Sequence, residues 1–370
     1  MNIAIIGTRG IPNNYGGFEQ FAEYISVGLV ERGHQVTVYS PHFHPYKEES
    51  FKGVRIKHIY SPEHLIGSSA NFTYDFQCMQ HALKQDFDIL LECGYHSNAP
   101  SYYLTRGRKK PVLITNMDGL EWKRSKWNKF TRWLILQMEK VAVKKSHVLV
   151  SDNKGIQDYY KNTYDADSVC IPYGADLIHQ FNEATLSLYG LLKEQYYLLI
   201  ARLEPENNIE TILDGFTLYG DKVNKMVVIG NHNTGYGNYL KSKFSTNKQI
   251  VFLGGIYDLS QLNDLRCYAK AYFHGHSVGG TNPSLLEAMA SNAFIVAHDN
   301  IFNRSVLEKD AYYFTSKESV QNILQTAIDS TFKQQSIQNN RTKIKEQYTW
   351  EVITDQYESL FNSALDCHCK

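Results

Sequence analysis

The sequence predicts an α/β protein made of two tandem doubly wound domains, and three observations carry that reading. Short apolar runs alternate with amphipathic stretches from end to end, the grammar of strand–helix–strand units that pair into parallel sheets covered on both faces. The pattern fades near Ala184–Glu194 and then restarts. The 370-residue length suits two domains of about 100–200 residues each.

Asn2–Ile6 is a buried-strand run that breaks at Gly7. Phe18, Phe21, Ala22, Ile25, Leu29 and Val30 then recur at helical spacing, with Gly33 as the stop signal. Val36–Tyr39, Val54–Ile59, Ile89–Leu91, Val112–Thr115, Val148–Val150 and Val169–Ile171 read as further strands. The second half gives Tyr196–Ile200, Met226–Ile229, Ile250–Leu253, Ala271–Phe273, Phe294–Ala297 and Tyr312–Phe314, separated by helical stretches such as Ile209–Leu218 and Asn282–Ala290. The domains are therefore drawn at 1–188 and 189–349, with a last helix over 350–366 that could pack on either domain, including back on the first. Two such domains are expected to face each other across a cleft at the carboxyl ends of their sheets, where folds of this kind bind ligands.

Lys+Arg and Asp+Glu each number 38, and 43% of residues are hydrophobic. That composition excludes a disordered chain, and the charge balance argues against a nucleic-acid-binding role. The six cysteines contain no C-x-x-C and read as reduced thiols. Cys367-His368-Cys369 reads as a frayed tail in preference to a metal site. The first residues, MNIAIIGTRG, have no basic n-region followed by an apolar stretch and so read as a strand in preference to a signal peptide, and no apolar run approaches the roughly 20 residues needed to cross a bilayer. A cytoplasmic location follows as the expectation. The charge balance hides one local excess: residues 105–147 hold twelve Lys/Arg against Asp118, Glu121 and Glu139, together with Trp122, Trp127 and Trp133. Basic residues interleaved with tryptophan suit an anionic membrane surface, the favoured reading; the alternative is a solvated helix face with tryptophans packed into the core.

Three loops carry candidate chemistry. The first, Gly7–Glu19, lacks G-x-G-x-x-G but places Gly16-Gly17 directly before a helix. A backbone without side chains there admits an anion to the helix N-terminus; a plain glycine turn is the alternative. The second is His274–Met289, a glycine-rich loop leading into a helix near Asn282-Pro283, where Pro suits the first turn and exposed amides offer a second anion seat. Glu287, a turn further on, suits a ribose diol or else a surface ion pair, and His274 and His276 read as satisfied loop residues. The third is Ala201–Asn208, where Arg202 at a strand's carboxyl end can fork two phosphate oxygens or form a salt bridge.

In this order the motifs GTRGIPNNYGGFE (7–19), NMDGLEWKRSKW (116–127), IPYGAD (171–176), ARLEPENN (201–208) and HGHSVGGTNPSLLEAM (274–289) resemble those of the GT-B glycosyltransferases of family 4. Within that family they are similar to the subgroup with a rhamnosyltransferase-type N-terminal domain. The resemblance implies two Rossmann-like domains, a nucleotide-diphosphate-sugar donor, retention of configuration and no metal or other cofactor. It implies that Gly16 and Gly17 approach the donor diphosphate or the acceptor, that Arg202 binds the diphosphate, and that Glu287 is the second glutamate of an E-x7-E motif and holds the ribose. The first glutamate of that motif is replaced by Gly279, and the diphosphate-binding lysine by Asn207. Backbone amides of Gly279, Gly280, Thr281 and Asn282, with the Asn282 side chain, are expected to take over part of their work. Arg202 and Asp118 are the candidate catalytic residues. Met117 stands where many relatives have a histidine directed at the sugar's 6-hydroxyl, which points to a 6-deoxy sugar.

The resemblance thus implies transfer of rhamnose from dTDP-rhamnose to a polyprenyl-diphosphate-linked saccharide in surface polysaccharide synthesis, by an enzyme bound peripherally to the inner face of the plasma membrane through segment 105–147. Alternatives are a UDP-hexose or UDP-N-acetylhexosamine donor, or a non-catalytic nucleotide-sugar-binding protein.

Overall fold

A computed structural model describes residues 1–14, 16–117, 119–326 and 328–368. They form two compact units, Met1–Lys123 with Trp127–Gly174 and Trp350–Lys370, and Arg124–Lys126 with Ala175–Thr349.

The first unit is an eight-stranded sheet of β1 (Asn2–Ile6), β2 (Gln35–Pro41), β3 (Ser50–Phe51), β4 (Val54–Ile59), β5 (Ile89–Cys93), β6 (Val112–Asn116), β7 (Val148–Ser151) and β8 (Val169–Cys170). Its order is β3-β4-β2-β1-β5-β6-β7-β8, parallel throughout except for β3 against β4. Central strands are buried on both faces, as Ile3–Ile6 and Ile89–Leu91 show, which is why they read as unbroken apolar runs. Helices α1 (Gly17–Glu31), α2 (Glu63–Ile66), α3 (Ala70–Ala82), α4 (Lys129–Lys145) and α5 (Lys154–Tyr164) connect the strands. On α1, Phe21, Ala22, Ile25 and Leu29 are wholly buried. The helix ends as Gly33 turns to φ +85° and the amides of Gly33 and His34 bond the carbonyls of Val30 (2.9 Å) and Leu29 (3.1 Å). The C-terminal helix, Trp350–His368, packs on α1.

A buried carboxylate anchors α4. Glu139 is fully enclosed and accepts hydrogen bonds from four tyrosine hydroxyls: Tyr159 and Tyr164 at 2.7 Å, Tyr95 at 2.8 Å and Tyr160 at 3.4 Å. Four donors supply the solvation that an isolated buried carboxylate would lack. Tyr164 is pushed up to about 12, by burial first and then by its bond to Glu139, so its hydroxyl stays protonated to donate.

The second unit is a wholly parallel six-stranded sheet of β9 (Tyr196–Ile200), β10 (Lys225–Ile229), β11 (Ile250–Gly254), β12 (Ala271–His274), β13 (Ile295–His298) and β14 (Tyr312–Phe314), in the order β11-β10-β9-β12-β13-β14. Helices α6 (Ile209–Tyr219), α7 (Gly235–Lys243), α8 (Leu259–Tyr268), α9 (Pro283–Ala290), α10 (Ile301–Leu307), α11 (Lys317–Gln325) and α12 (Ser330–Lys343) complete it. The division between the units lies at Gly174/Ala175, ahead of the 188/189 boundary drawn from periodicity. Hydrogen bonds assign the intervening segment to the second unit: Ala175 to Tyr348 (2.7 Å), Arg341 to Ile178 (3.0 Å), and Asn182 and Thr185 to Asp264 (2.8 and 2.6 Å).

Candidate active site

In the second unit the strand order reverses between β9 and β12, the switch point where open α/β sheets leave a crevice at the carboxyl ends of their strands. The loops leaving these two strands, 201–208 and 275–282, are stitched together there. Ser277 donates from its amide (3.1 Å) and its hydroxyl (2.7 Å) to the Glu206 carbonyl, and Asn208 Nδ2 donates to the Gly275 carbonyl at 2.8 Å. A Cβ on Gly275 would fall 2.0 Å from the Asn207 carbonyl oxygen, so only glycine permits this approach.

Arg202 leaves β9 at this crevice with an exposed side chain. Its guanidinium makes no hydrogen bond or ion pair among the described residues. Facing loop 275–282 offers backbone N–H groups: those of Gly279 and Gly280 donate to nothing among the described residues. Gly279 stands at φ +120° with no atom within 4 Å of where a Cβ would point. A backbone in that region strains any side chain, which accounts for glycine where the resemblance would put a glutamate. Thr281 is buried beneath the loop.

Three of the expected contacts take a different form. Asn207 is buried and its Nδ2 donates to the Arg202 carbonyl at 2.7 Å; the amide that would replace a phosphate-binding lysine instead fixes the backbone of the arginine. Asn282 is the N-cap of α9, with Oδ1 accepting from the Ser284 amide at 2.9 Å, so that oxygen is already used by the helix. Glu287 is paired to Arg266 by an Nη2–Oε2 bond of 2.6 Å. This is not the surface pair considered from sequence, because Arg266 is 1% exposed and also donates to Asn263 Oδ1 at 2.9 Å. Arg266 on α8 belongs to none of the sequence motifs; only the fold brings it to Glu287 on α9.

The histidines also depart from the satisfied loop residues expected. His274 is wholly buried and neither ring nitrogen has a partner among the described residues; the same holds for Nδ1 of His276. Their rings stack at 4.4 Å and 17°. Burial holds both neutral, and His276 is pushed down to about 3 by burial first and then by the charge of Arg202.

The first unit has its own switch point, between β1 and β5. Gly16 is the N-cap of α1 and Gly17 its first residue, with no side-chain cap. Glu19, buried in the first turn, accepts the Arg9 amide on Oε1 at 2.8 Å, and its Oε2 lies 3.3 Å from where a Cβ on Gly16 would stand. The positive end of α1 therefore already holds a carboxylate of the chain. Below it lie two more. Burial pushes Asp75 up to about 7, and burial with the Asp75 charge pushes Glu92 well above the usual carboxylate range. Ser97 donates to Asp75 and Asn98 to Glu92, while Glu92 Oε1 sits where a Cβ on Gly7 (φ +76°) would be. Met117 is completely buried, so it cannot be the apolar contact to a sugar expected from its position. Asp118 lies outside the described residues.

Comparison with known proteins agrees with this layout. Residues 190–348 match the family described as glycosyl transferases group 1, and residues 1–176 match a domain of unknown function, DUF1972. Among solved structures, sucrose-phosphate synthase from Thermosynechococcus elongatus superposes with a TM-score of 0.80 at 14% identity, over 99% of both chains. A glycosyltransferase from Rickettsia africae gives 0.74 at 12%, over 98% of both. HepE from Anabaena, in complex with UDP and glucose, gives 0.72 at 13%, over 98% of this chain and 100% of its own. No protein of curated function matches by sequence. At these identities the structures establish the fold, GT-B.

Proposed function

We propose that this chain, a glycosyltransferase on the GT-B fold, moves rhamnose from dTDP-rhamnose to a polyprenyl-diphosphate-linked saccharide, with retention at the anomeric carbon and without a bound metal. One observation carries the nucleotide-diphosphate part of this reading: the exposed Arg202, unpaired among the described residues, stands at the switch point of the second sheet, opposite a loop whose Gly279 and Gly280 amides have no acceptor among those residues. A guanidinium and fixed N–H groups stabilise the charge that develops on a departing diphosphate. HepE, solved with UDP and with UDP-glucose, is similar in fold and lends the same direction. As the C1–O bond to the diphosphate breaks, the acceptor oxygen bonds C1 on the same face and its proton passes to the leaving phosphate. The enzyme's part is then positioning and charge. Rhamnose rests on the family resemblance alone, since Met117 is withdrawn from the site.

The test is release of nucleoside diphosphate from dTDP-rhamnose, UDP-glucose and UDP-N-acetylglucosamine in the presence of a polyprenyl-diphosphate-linked acceptor and EDTA. Release of dTDP is expected. Turnover of a UDP-sugar alone replaces the donor, and silence from all three overturns the reading.

The acceptor's lipid places the reaction at a membrane, and α4 supports that location. Its single acid, Glu139, is turned inward, while Phe130 and Trp133 are 69% and 54% exposed with rings stacked 6.0 Å apart. Lys129, Lys140 and Lys144 are exposed on the same helix, each worth about 1 kcal/mol near anionic lipid. Trp127 takes no part, since its Nε1 donates to Glu121 at 3.0 Å. No helix of the described residues is long and apolar enough to cross a membrane. Co-sedimentation with anionic vesicles at physiological salt is expected, and to weaken in Phe130→Ser with Trp133→Ser; absence of binding by the parent chain refutes it.

A further inference from the structure

Residues 272, 274 and 276 follow the period of two that carries β12 out of its sheet, so they fall on one face. The rings confirm it: Tyr272 and His274 have centroids 6.1 Å apart, and His274 and His276 stack at 4.4 Å. This file of rings runs from the sheet interior to the crevice that holds Arg202. Its outer member is rigidly mounted. The His276 carbonyl accepts from Asn300 Nδ2 at 3.0 Å and Asn303 Nδ2 at 3.1 Å, and the next residue, Ser277, is bonded to Glu206 by both amide and hydroxyl. A residue clamped on both sides through its backbone has a fixed ring position.

Nothing among the described residues explains why these positions are histidine. Buried polar atoms are ordinarily hydrogen-bonded, yet both nitrogens of His274 and the Nδ1 of His276 have no partner among the described residues. An apolar ring would fill the same space without leaving polar atoms unmet. Arg202, Arg124 and Glu206 all act on His276 by their charge, Arg202 the most strongly and against protonation, and the Arg202 guanidinium has no hydrogen-bond or ion-pair partner among the described residues. A neutral imidazole beside an unpaired guanidinium offers one N–H to whatever anion the guanidinium binds, without adding a second charge.

We propose that His276 is a donor-binding residue, giving an N–H to the diphosphate of the nucleotide held by Arg202, and that His274 is a positioning residue whose stacked ring fixes that of His276. The inference rests on the nucleotide-diphosphate reading above and adds to it the group that grips the leaving phosphates beside the arginine.

Calorimetric titration of UDP and dTDP into the full-length protein tests it, with melting temperature recorded for each variant. His276→Leu is expected to weaken the better-bound nucleotide at least tenfold. His276→Gln, which restores an N–H at similar reach, is expected to recover affinity to within about threefold. His274→Phe, which keeps the stack and removes the unmet nitrogens, is expected to bind within about threefold of the parent and to melt no lower. If the parent chain binds neither nucleotide, the nucleotide-diphosphate reading itself fails. If it binds and His276→Leu binds equally well, His276 is outside the donor site. If His276→Gln melts like the parent but binds as poorly as His276→Leu, an N–H contact is excluded. If His274→Phe loses nucleotide affinity at unchanged melting temperature, stacking is not what His274 contributes.

Discussion

In the first unit, Gly16-Gly17 lead into α1 past the buried carboxylate of Glu19, with Asp75 and Glu92 enclosed below. In the second, Gly279-Gly280 lead into α9 past two neutral histidines, and the first turn of α9 has no acid. Both are strand–glycine loop–helix units at the switch point of a parallel sheet, and from sequence both read as anion seats. Their electrostatics are opposite. The helix dipole of α1 is already answered by the chain's own glutamate, while the loop before α9 keeps glycine amides and an arginine that have no partner among the described residues. Glycine before a helix marks where a backbone can be approached; the charges packed around it decide what approaches.

The largest expected effect concerns the scaffold of the second loop. Arg266→Ala strands Glu287 without its buried partner, and loss of one member of such a pair costs about 3–5 kcal/mol. Denaturant unfolding measures it, and a loss below about 1 kcal/mol would mean that α9 is not braced from below. Arg202→Ala comes next. Losing one charge-stabilising donor is expected to lower kcat/KM about 100- to 1,000-fold, or about 2.7–4 kcal/mol, with unfolding midpoint unchanged because the side chain is exposed. A fall of less than threefold would erase the contrast between the loops.

The first loop makes a prediction of its own. Folded Asp75 keeps its proton up to about pH 7, whereas an unfolded aspartate releases it near pH 4. The folded state therefore binds more protons across that window, so the Asp75 contribution lowers stability as pH rises from about 4 to about 7 and then levels. Glu92, also raised, acts in the same sense. Asp75→Asn is expected to flatten this slope, as unfolding at pH 4.5, 6 and 7.5 would show; an unaltered slope would clear Asp75 of the effect. The smallest change is expected of Glu19→Gln, about 1 kcal/mol from the lost charge at the α1 terminus and at the Arg9 amide. Nucleoside diphosphate affinity should stay within twofold, and a larger change would show that the two loops do not divide their roles by charge.

Much of this layout is legible in the chain itself. Buried parallel strands announce themselves as unbroken apolar runs, so all thirteen strands read from sequence are strands; Ser50–Phe51 escapes that reading because two residues carry no period. Arg202 and the 275–282 loop are legible because strand ends and glycine runs are local signals. Asn207, Met117 and Glu287 were placed by their position in motifs, and motif position says nothing of which way a side chain turns. Asn207 turns back on Arg202, Met117 turns into the core, and Glu287 meets an arginine 21 positions earlier.

The sequence by itself determined the two parallel sheets, the glycine loops and the arginine at a strand end, because hydrophobic period and backbone freedom act between near neighbours. Only the tertiary structure decided the pairings that set charge: Glu139 among four tyrosines, Arg266 beneath Glu287, and His276 beside Arg202. Each joins residues from separate elements, and electrostatic strength depends on burial and distance in space, which no local pattern encodes.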